Sequence, residues 1–288
     1  MQARRYFLLA LLLNLAAHAF AEESFEKGVL WKVEKDGAAA SYLFGTIHVS
    51  DPRVTKLPKQ VKQALAQSKS FTMEMVANEA AQLYFVKAMS LKAGEDLRAL
   101  LGDELYSKSI ALMQEHGFPP QVTGVLKPWG ILLTLIVPKP TGEPILDQRL
   151  QQIAAAQKKP VHQLESIEEQ VAVFDGMPVK TQIAMLQSAV DHYIELPQVI
   201  EQTVDAYLKQ DLNGLWELNA LYAEDSAAEH YDYFVERVLF SRNVRMAERA
   251  EQRLKEGGAF IAVGALHLFG EKGVPALLEK QGYRVTRV

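Results

Sequence analysis

Two histidines in this chain share the same local setting, in which a run of apolar and β-forming residues breaks at a glycine three positions before the histidine. One run ends in Gly45–His48 and the other in Gly264–His267. An apolar run of this length predicts a buried strand, and glycine lets the backbone turn or approach a neighbour closely. Because open α/β folds bind ligands at strand ends, we predict that His48 and His267 form one site. The alternative is that both are structural histidines bonded to loop backbone.

A carboxylate accompanies the histidines in a third predicted strand. Glu74 lies in Ser70–Val76, where alternation places it on one face with Thr72 and Val76. If that face is covered, the carboxylate needs a partner, because a lone buried charge is costly. Two imidazoles and one carboxylate suit Zn²⁺, Mn²⁺, Co²⁺ or Fe²⁺ and leave positions open for water and substrate. A solvated edge position for Glu74 is the alternative.

A second carboxylate stands at another predicted corner between a strand and a helix. Glu165 follows the strand Val161–Leu164 and precedes the capping box Ser166–Glu169. It is predicted either as a general base or as a hydrogen-bond partner of a ligating histidine. The alternative is a glutamate that favours a helix start because of the helix dipole. Asp147 is a secondary candidate of the same kind.

Arg242 and Asn243 stand within a long predicted helical stretch, from Val179 to about Glu256. They could hold a substrate carboxylate or stabilise a developing oxyanion. From spacing alone, a solvated or salt-bridged helix face is the favoured explanation. The remaining histidines of the globular part are predicted to be structural or surface residues.

The order of the predicted elements indicates an α/β fold. Strands are predicted near both ends of the chain, with a helix-rich insertion between them, and no linker of Pro, Gly or Ser divides the chain. We therefore predict a single domain built on a central mixed sheet.

The N-terminus predicts export. Arg4 and Arg5 precede an apolar segment, and Ala19–Ala21 fits a signal-peptidase site, so residues 1–21 are predicted to be a signal peptide and 22–288 the mature domain. The protein is expected to be periplasmic or secreted, with no membrane anchor after cleavage. The absence of cysteine excludes thiolate ligands, a cysteine nucleophile and disulfides.

Composition and missing motifs exclude several function classes. The net charge is −4 and no Lys/Arg cluster with interleaved aromatics occurs, so no nucleic-acid partner is expected. The sequence contains no G-x-S-x-G elbow, Walker A loop, G-x-G-x-x-G turn or H-E-x-x-H helix. The expected partner is a peptide or small-molecule substrate, and the oligomeric state is left open.

The motifs, taken in order, resemble those of the TraB/GumN family, which is related to the Tiki proteins. The matching pieces cover nearly all of the mature chain: Gly45–His48, Phe71–Glu74, Lys127–Trp129, Pro160–Gln170, Arg242–Met246 and Gly264–His267.

The resemblance implies a fold akin to the erythromycin esterase and ChaN-like group, and a divalent metal, with Mn²⁺ or Co²⁺ favoured over Zn²⁺. It implies His48, Glu74 and His267 as metal ligands, and Glu165, Arg242 and Asn243 as catalytic residues around the pocket. The expected function is that of an exported metal-dependent hydrolase of peptide or related amide bonds. The alternative is a non-catalytic periplasmic protein that binds a metal, haem or small ligand.

Overall fold

The structure, a computed structural model, describes residues 25–220 and 228–288. The predicted signal peptide, residues 1–21, lies outside the described residues. The described chain is mixed α/β, as predicted, and its six strands form one mixed sheet. The strands are β1 (Leu30–Glu34), β2 (Ser41–Thr46), β3 (Ser70–Met73), β4 (Val161–Gln163), β5 (Ala259–Gly264) and β6 (Arg284–Arg287).

The helices alternate with these strands and also form two long helical stretches, one between β3 and β4 and one between β4 and β5. In chain order they are α1 (Pro52–Thr55), α2 (Lys59–Gln67), α3 (Glu79–Ala88), α4 (Leu97–Glu115), α5 (Pro120–Thr123), α6 (Pro128–Leu135), α7 (Leu146–Ala156), α8 (Ile167–Asp175), α9 (Val179–Asp191), α10 (Leu196–Leu208), α11 (Leu212–Ala220), α12 (Ala228–Val235), α13 (Ser241–Glu256) and α14 (Val274–Lys280). Short 3₁₀ turns span Tyr193–Glu195 and Ala265–Leu268, and a π-helical turn spans Glu236–Phe240.

The sheet has the strand order β4-β3-β5-β2-β1-β6, so strands from both ends of the chain meet at its centre. The four strands from β4 to β2 are parallel, whereas β1 pairs antiparallel with β2 and with β6. Parallel neighbours bring their carboxyl ends to the same edge. That edge therefore collects the residues that follow β2, β3, β4 and β5.

Two hydrophobic clusters stabilise the described residues. The first surrounds the sheet and includes Phe44, Phe71 and Phe260, whose rings are in contact. The second is mainly helical and joins α4, α6 and α9 through residues such as Met113 and Leu186. The helix-rich part of the chain thus has apolar packing of its own, as predicted for an insertion between the strands. Within the described ranges, no helix combines the length and apolar character required to cross a bilayer.

The third predicted strand is shorter than its sequence pattern indicates. It was expected to run to Val76, but β3 ends at Met73. The reason is that the Gly264 N–H donates to the side chain of Glu74, at 2.6 Å, instead of continuing the ladder between β5 and β3. Glu74 is therefore the first residue beyond the strand.

Candidate metal and catalytic site

Three neighbouring parallel strands carry the three predicted metal ligands to one edge of the sheet. Glu74 directly follows β3, His48 follows β2 by two residues, and His267 lies in the 3₁₀ turn after β5. The register pairs Thr46 with Gly264 across β2 and β5. The two glycine–histidine motifs are therefore side by side in space, as predicted.

The glycine of the first motif permits close contact between the two motifs. A Cβ on Gly45 would lie 2.7 Å from Leu268 and 3.1 Å from the backbone of Ala265, both in the turn that carries His267. The carbonyl of Gly45 accepts a hydrogen bond from the buried Tyr207 hydroxyl at 2.7 Å. Gly45 is thus required for packing against the second motif.

His267 is buried and its tautomer is fixed by Asn243. The Nδ1 atom of His267 lies 2.5 Å from Oδ1 of Asn243, whose Nδ2 donates to the Lys272 carbonyl at 2.8 Å. Because Oδ1 can only accept, Nδ1 carries the proton. The Nε2 atom of His267 is then left without a proton when the ring is neutral.

Glu74 lies between His267 and a buried arginine. Its Oε1 is 3.6 Å from His267 Nε2 and accepts the Gly264 N–H, while its Oε2 accepts from Arg242 Nη2 at 2.6 Å. The backbone and Arg242 together fix the carboxylate so that Oε1 faces the imidazole.

His48 has a different partner and is far more exposed. Its Nδ1 lies 2.9 Å from Oδ2 of Asp147, and the Thr46 hydroxyl donates to Oδ1 of Asp147 at 2.6 Å. The His48 side chain is 60% exposed. Asp147, in the first turn of α7, therefore orients this histidine, and its Nε2 is the ring nitrogen left for a ligand.

Glu165 is part of a buried ion-pair network behind Glu74. Its side chain is 0% exposed; Oε2 accepts from Arg242 Nε and Nη2 at 2.9 and 2.7 Å, and Oε1 accepts from Arg245 Nη2 at 3.1 Å. Both oxygens are occupied by guanidinium groups. Arg242 is thus held between two carboxylates, just after the π-helical turn.

The electrostatics of the site separate the roles of the two histidines. Burial lowers the pKa of His267 to about 4 despite the neighbouring Glu74, so the ring is neutral at neutral pH. The Asp147 carboxylate raises the pKa of His48 to about 9. Burial alone would raise the pKa of Glu74, but His267, Arg242 and His48 outweigh it and the pKa is about 2. Since His267 is neutral, the positive charge that stabilises Glu74 at neutral pH comes from Arg242 and His48.

The donor chemistry at this edge fits a divalent metal. Each histidine has its Nδ1 held by a hydrogen-bond partner, which is the usual arrangement around ligating imidazoles, and Glu74 supplies an oxygen beside His267. As the side chains are arranged, no group of three or more His, Asp or Glu residues in the described ranges converges as a metal-binding cluster. Glu74 and His267 are adjacent, whereas His48, the third predicted ligand, is exposed and paired with Asp147.

The structure brings together all of the predicted site residues, although not all in direct contact. A solvated or salt-bridged helix face was the favoured alternative for Arg242 and Asn243. Both are buried: Arg242 forms salt bridges with Glu74 and Glu165, and Asn243 is bonded to His267. The analysis of the sequence missed Arg245 and Tyr207. Arg245 could have been found from its position three residues after Arg242, on the same helix face; no signal in the sequence indicated Tyr207.

Comparison with known proteins relates this chain to one protein family and to several of its members. A model of the TraB/PrgY/gumN family matches residues 29–287. Metalloprotease TIKI1 of Xenopus tropicalis is 26% identical, over 89% of this chain and 60% of TIKI1. Human metalloprotease TIKI1 is 26% identical, over 92% of this chain and 62% of its own length. The uncharacterized protein YbaP of Escherichia coli (strain K12) is 24% identical, over 82% of this chain and 87% of YbaP.

The chain thus spans about 60% of the length of the TIKI1 proteins it matches. No solved structure gives a significant match. The resemblance indicated by the paired motifs is confirmed by the family match, which extends over nearly all of the described residues. The chain belongs to the TraB/PrgY/gumN family.

Proposed function

We propose that the protein is an exported metal-dependent hydrolase that acts on a peptide or related amide bond, with His48, Glu74 and His267 as the metal ligands. One observation supports the metal above the others. The unprotonated Nε2 of the buried His267 faces the carboxylate of Glu74, which is 16% exposed, at 3.6 Å, so two hydrogen-bond acceptors are adjacent. Acceptors so placed need a shared cation or proton, and burial disfavours the protonated ring.

Hydrogen bonds within the protein orient the atoms that would bind the metal. Asn243 and Asp147 bind the Nδ1 atoms, so both histidines present Nε2. The Gly264 N–H and Arg242 fix Glu74. A divalent cation bound there would supply Lewis acidity to a scissile carbonyl and lower the pKa of water. We favour Mn²⁺ or Co²⁺ over Zn²⁺ as that cation.

The remaining predicted catalytic residues are best assigned to positioning. Arg242 donates through Nε to Glu165, through Nη1 to the Val238 carbonyl, and through Nη2 to both Glu74 and Glu165. Both polar atoms of the Asn243 side chain are also bonded within the protein. Glu165 has both oxygens occupied, so we propose that it anchors Arg242 rather than accepting a proton from water.

The comparisons support the proposed class of reaction. The Tiki metalloproteases align with 89–92% of this chain at 25–27% identity. That similarity favours metal-dependent hydrolysis over binding without turnover. One observation favours the alternative, a protein that binds a metal, haem or small ligand without turnover. Glu165, the predicted proton-transfer group, has both oxygens bonded to arginine side chains.

The test is peptide hydrolysis by the mature chain, residues 22–288, with a diverse peptide library. We expect cleavage that a chelator abolishes and that Mn²⁺ or Co²⁺ restores, and that is lost in Glu74→Gln and His267→Ala. His162→Ala, a histidine on β4 outside the site, is the matched control and should cleave normally. Cleavage that survives the chelator or His267→Ala contradicts the proposal. Metal binding without cleavage of any peptide supports the binding protein instead.

A further inference from the structure

An apolar cavity of about 320 Å³ lies between the helices on one side of the site. Its walls come from α6, α9, α10, α11 and α12, and from the turn that carries His267; they are formed mostly by leucine, valine, methionine and aromatic side chains. Ligand pockets in proteins occupy about 300–1,000 Å³ and combine such walls with a few polar groups. The cavity therefore has the size and character of a small binding pocket.

The first connection between the cavity and the site is the 3₁₀ turn Ala265–Leu268. Ala265 and Leu268 of this turn pack against Gly45, and His267 faces Glu74 and Asn243. Leu266 lines the cavity. Leu266 precedes His267 directly, and consecutive Cα atoms are about 3.8 Å apart. The cavity wall and the candidate ligand are therefore neighbours in the chain.

The second connection is a stripe along α10. Val199 and Thr203 line the cavity, and Tyr207, four residues further on, donates its hydroxyl to the Gly45 carbonyl. Residues four apart lie on the same face of a helix. One helix face thus extends from the cavity to the first glycine–histidine motif, and Tyr207 joins the two.

A buried polar atom in the wall indicates that the cavity receives a ligand. Ser188 lines it, and the buried hydroxyl of Ser188 has no hydrogen-bond partner among the described residues. An unpaired buried hydroxyl is unfavourable, and a ligand with one polar atom at this position would satisfy it. We propose that the cavity accepts a bulky apolar side chain of the substrate peptide, beside the bond that the site cleaves. This inference rests on the proposed function and names its substrate class: peptides with a large aliphatic or aromatic residue next to the scissile bond.

The first experiment measures occupancy of the cavity without catalysis. The metal-free mature chain is titrated with N-phenyl-1-naphthylamine, a neutral apolar fluorophore. Ala189 lies in the wall, on α9, and Ala189→Leu should weaken binding by about tenfold or more, since methylenes in a filled pocket have effects of that size. Ala189→Val should give a smaller loss and covers the case in which Ala189→Leu does not fold. Ala184→Leu, on the same helix but outside the wall, is the matched control and should bind within about twofold of wild type.

The second experiment measures side-chain preference in the metal-loaded chain. Two sets of peptides are compared by kcat/KM. They differ only in the residue beside the scissile bond, which is Phe or Leu in one set and Ala or Ser in the other. Wild type should prefer Phe and Leu, and in Ala189→Leu the ratio of kcat/KM for these peptides to kcat/KM for the Ala peptides should fall about tenfold or more.

The outcomes of the two experiments separate the pocket from the hydrolase. Equal probe binding by wild type and Ala189→Leu overturns the pocket. Altered probe binding with an unaltered peptide preference overturns its role in substrate recognition. Altered probe binding with no hydrolysis of any peptide overturns the proposed function, and with it the substrate role, while leaving an apolar binding site.

Discussion

At the scale of residues, the two histidines among the candidate ligands are oriented by chemically different partners. Asn243 is a neutral acceptor for His267, which burial keeps unprotonated, whereas Asp147 is an anion that raises the pKa of the exposed His48 to about 9. His267 is therefore ready to bind a metal at neutral pH, and His48 must first lose a proton.

Asp147 is predicted to be a positioning residue for metal binding. Replacing it by alanine removes the group that orients His48, and partners of this kind are worth about 10–100-fold in metal affinity. We expect Asp147→Ala to lower Mn²⁺ or Co²⁺ affinity by that factor. Asp147→Asn should lose less, because an amide oxygen still accepts from Nδ1, as Asn243 does for His267. Calorimetry measures the affinity.

The matched control is Asp103→Asn, an acidic side chain that is 81% exposed on α4. A second measurement reports on the orientation of His48 directly: ¹⁵N NMR shows which ring nitrogen carries the proton. It should remain Nδ1 in Asp147→Asn, whereas Asp147→Ala should show a mixture of the two tautomers. Unchanged metal affinity and an unchanged His48 tautomer in Asp147→Ala would show that Asp147 has no role.

Arg242 is predicted to be essential for stability because it is buried between Glu74 and Glu165. Arg242→Met removes the partner of both carboxylates, and breaking a buried ion pair in this way costs about 3–5 kcal/mol. Urea unfolding of the metal-free chain measures the loss. Arg245→Met, which removes a single contact with Glu165, should cost clearly less. A loss below about 1 kcal/mol for Arg242→Met would mean that the network is solvated.

At the scale of elements, the glycine of the first motif controls how closely β2 approaches the turn after β5. We predict that Gly45→Ala costs about 1–3 kcal/mol through overpacking and weakens metal binding, because the added Cβ would displace the turn that carries His267. Gly37→Ala is the control: it has a positive φ of 86° but no atom within 4 Å of a Cβ. It should cost stability without changing metal affinity, and the same pattern in Gly45→Ala would contradict the packing account.

The start of α8 is joined to α13 by a charged pair whose contribution should depend on pH. The Glu169 carboxylate accepts a hydrogen bond from the Ser166 N–H and pairs with Arg249. The contact with Arg249 is the larger cause, and the bond from Ser166 the second, that lowers the pKa of Glu169 to about 2. The pKa in the unfolded chain is about 4.3. The stabilisation is therefore complete above that value and is lost as the pH falls through about 2.

Comparison of wild type with Glu169→Gln tests this contribution. Between pH 7 and pH 3, wild type should lose about 1 kcal/mol more unfolding free energy than Glu169→Gln, a value reduced for solvent screening because Glu169 is 34% exposed. Equal losses in the two proteins, measured by urea unfolding, would show that the pair does not couple α8 to α13.

At the scale of the whole molecule, the sequence was sufficient to predict that the two glycine–histidine motifs meet at one place, but not the order of the strands in the sheet. The apolar runs before Gly45 and Gly264 indicated buried strands, and the structure places them as parallel neighbours, β2 and β5. Glu74 was found because it is a charge in an apolar segment. The capping box at Ser166–Glu169 was also confirmed. These features depend on local pattern, which a single sequence records.

The features that could not be predicted depend on contacts between distant elements. The burial of Arg242 depends on α13 packing across Glu74 and Glu165, a relation that helical spacing does not contain. Asp147 has the same appearance as any acidic residue in a first helical turn, and only the packing of α7 against the end of β2 pairs it with His48. The relation to the erythromycin esterase and ChaN-like fold stays a prediction, as do the signal peptide and the single domain 22–288.

The measurement that tests the central claim most directly is calorimetric titration of the mature chain with Mn²⁺ and Co²⁺, repeated for His48→Ala, Glu74→Ala and His267→Ala. We predict binding of one ion per chain in wild type, and loss of that binding in each of the three folded variants, because the three side chains are proposed to share one ion. A folded wild type that binds neither ion, or variants that bind as well as wild type, would contradict the account.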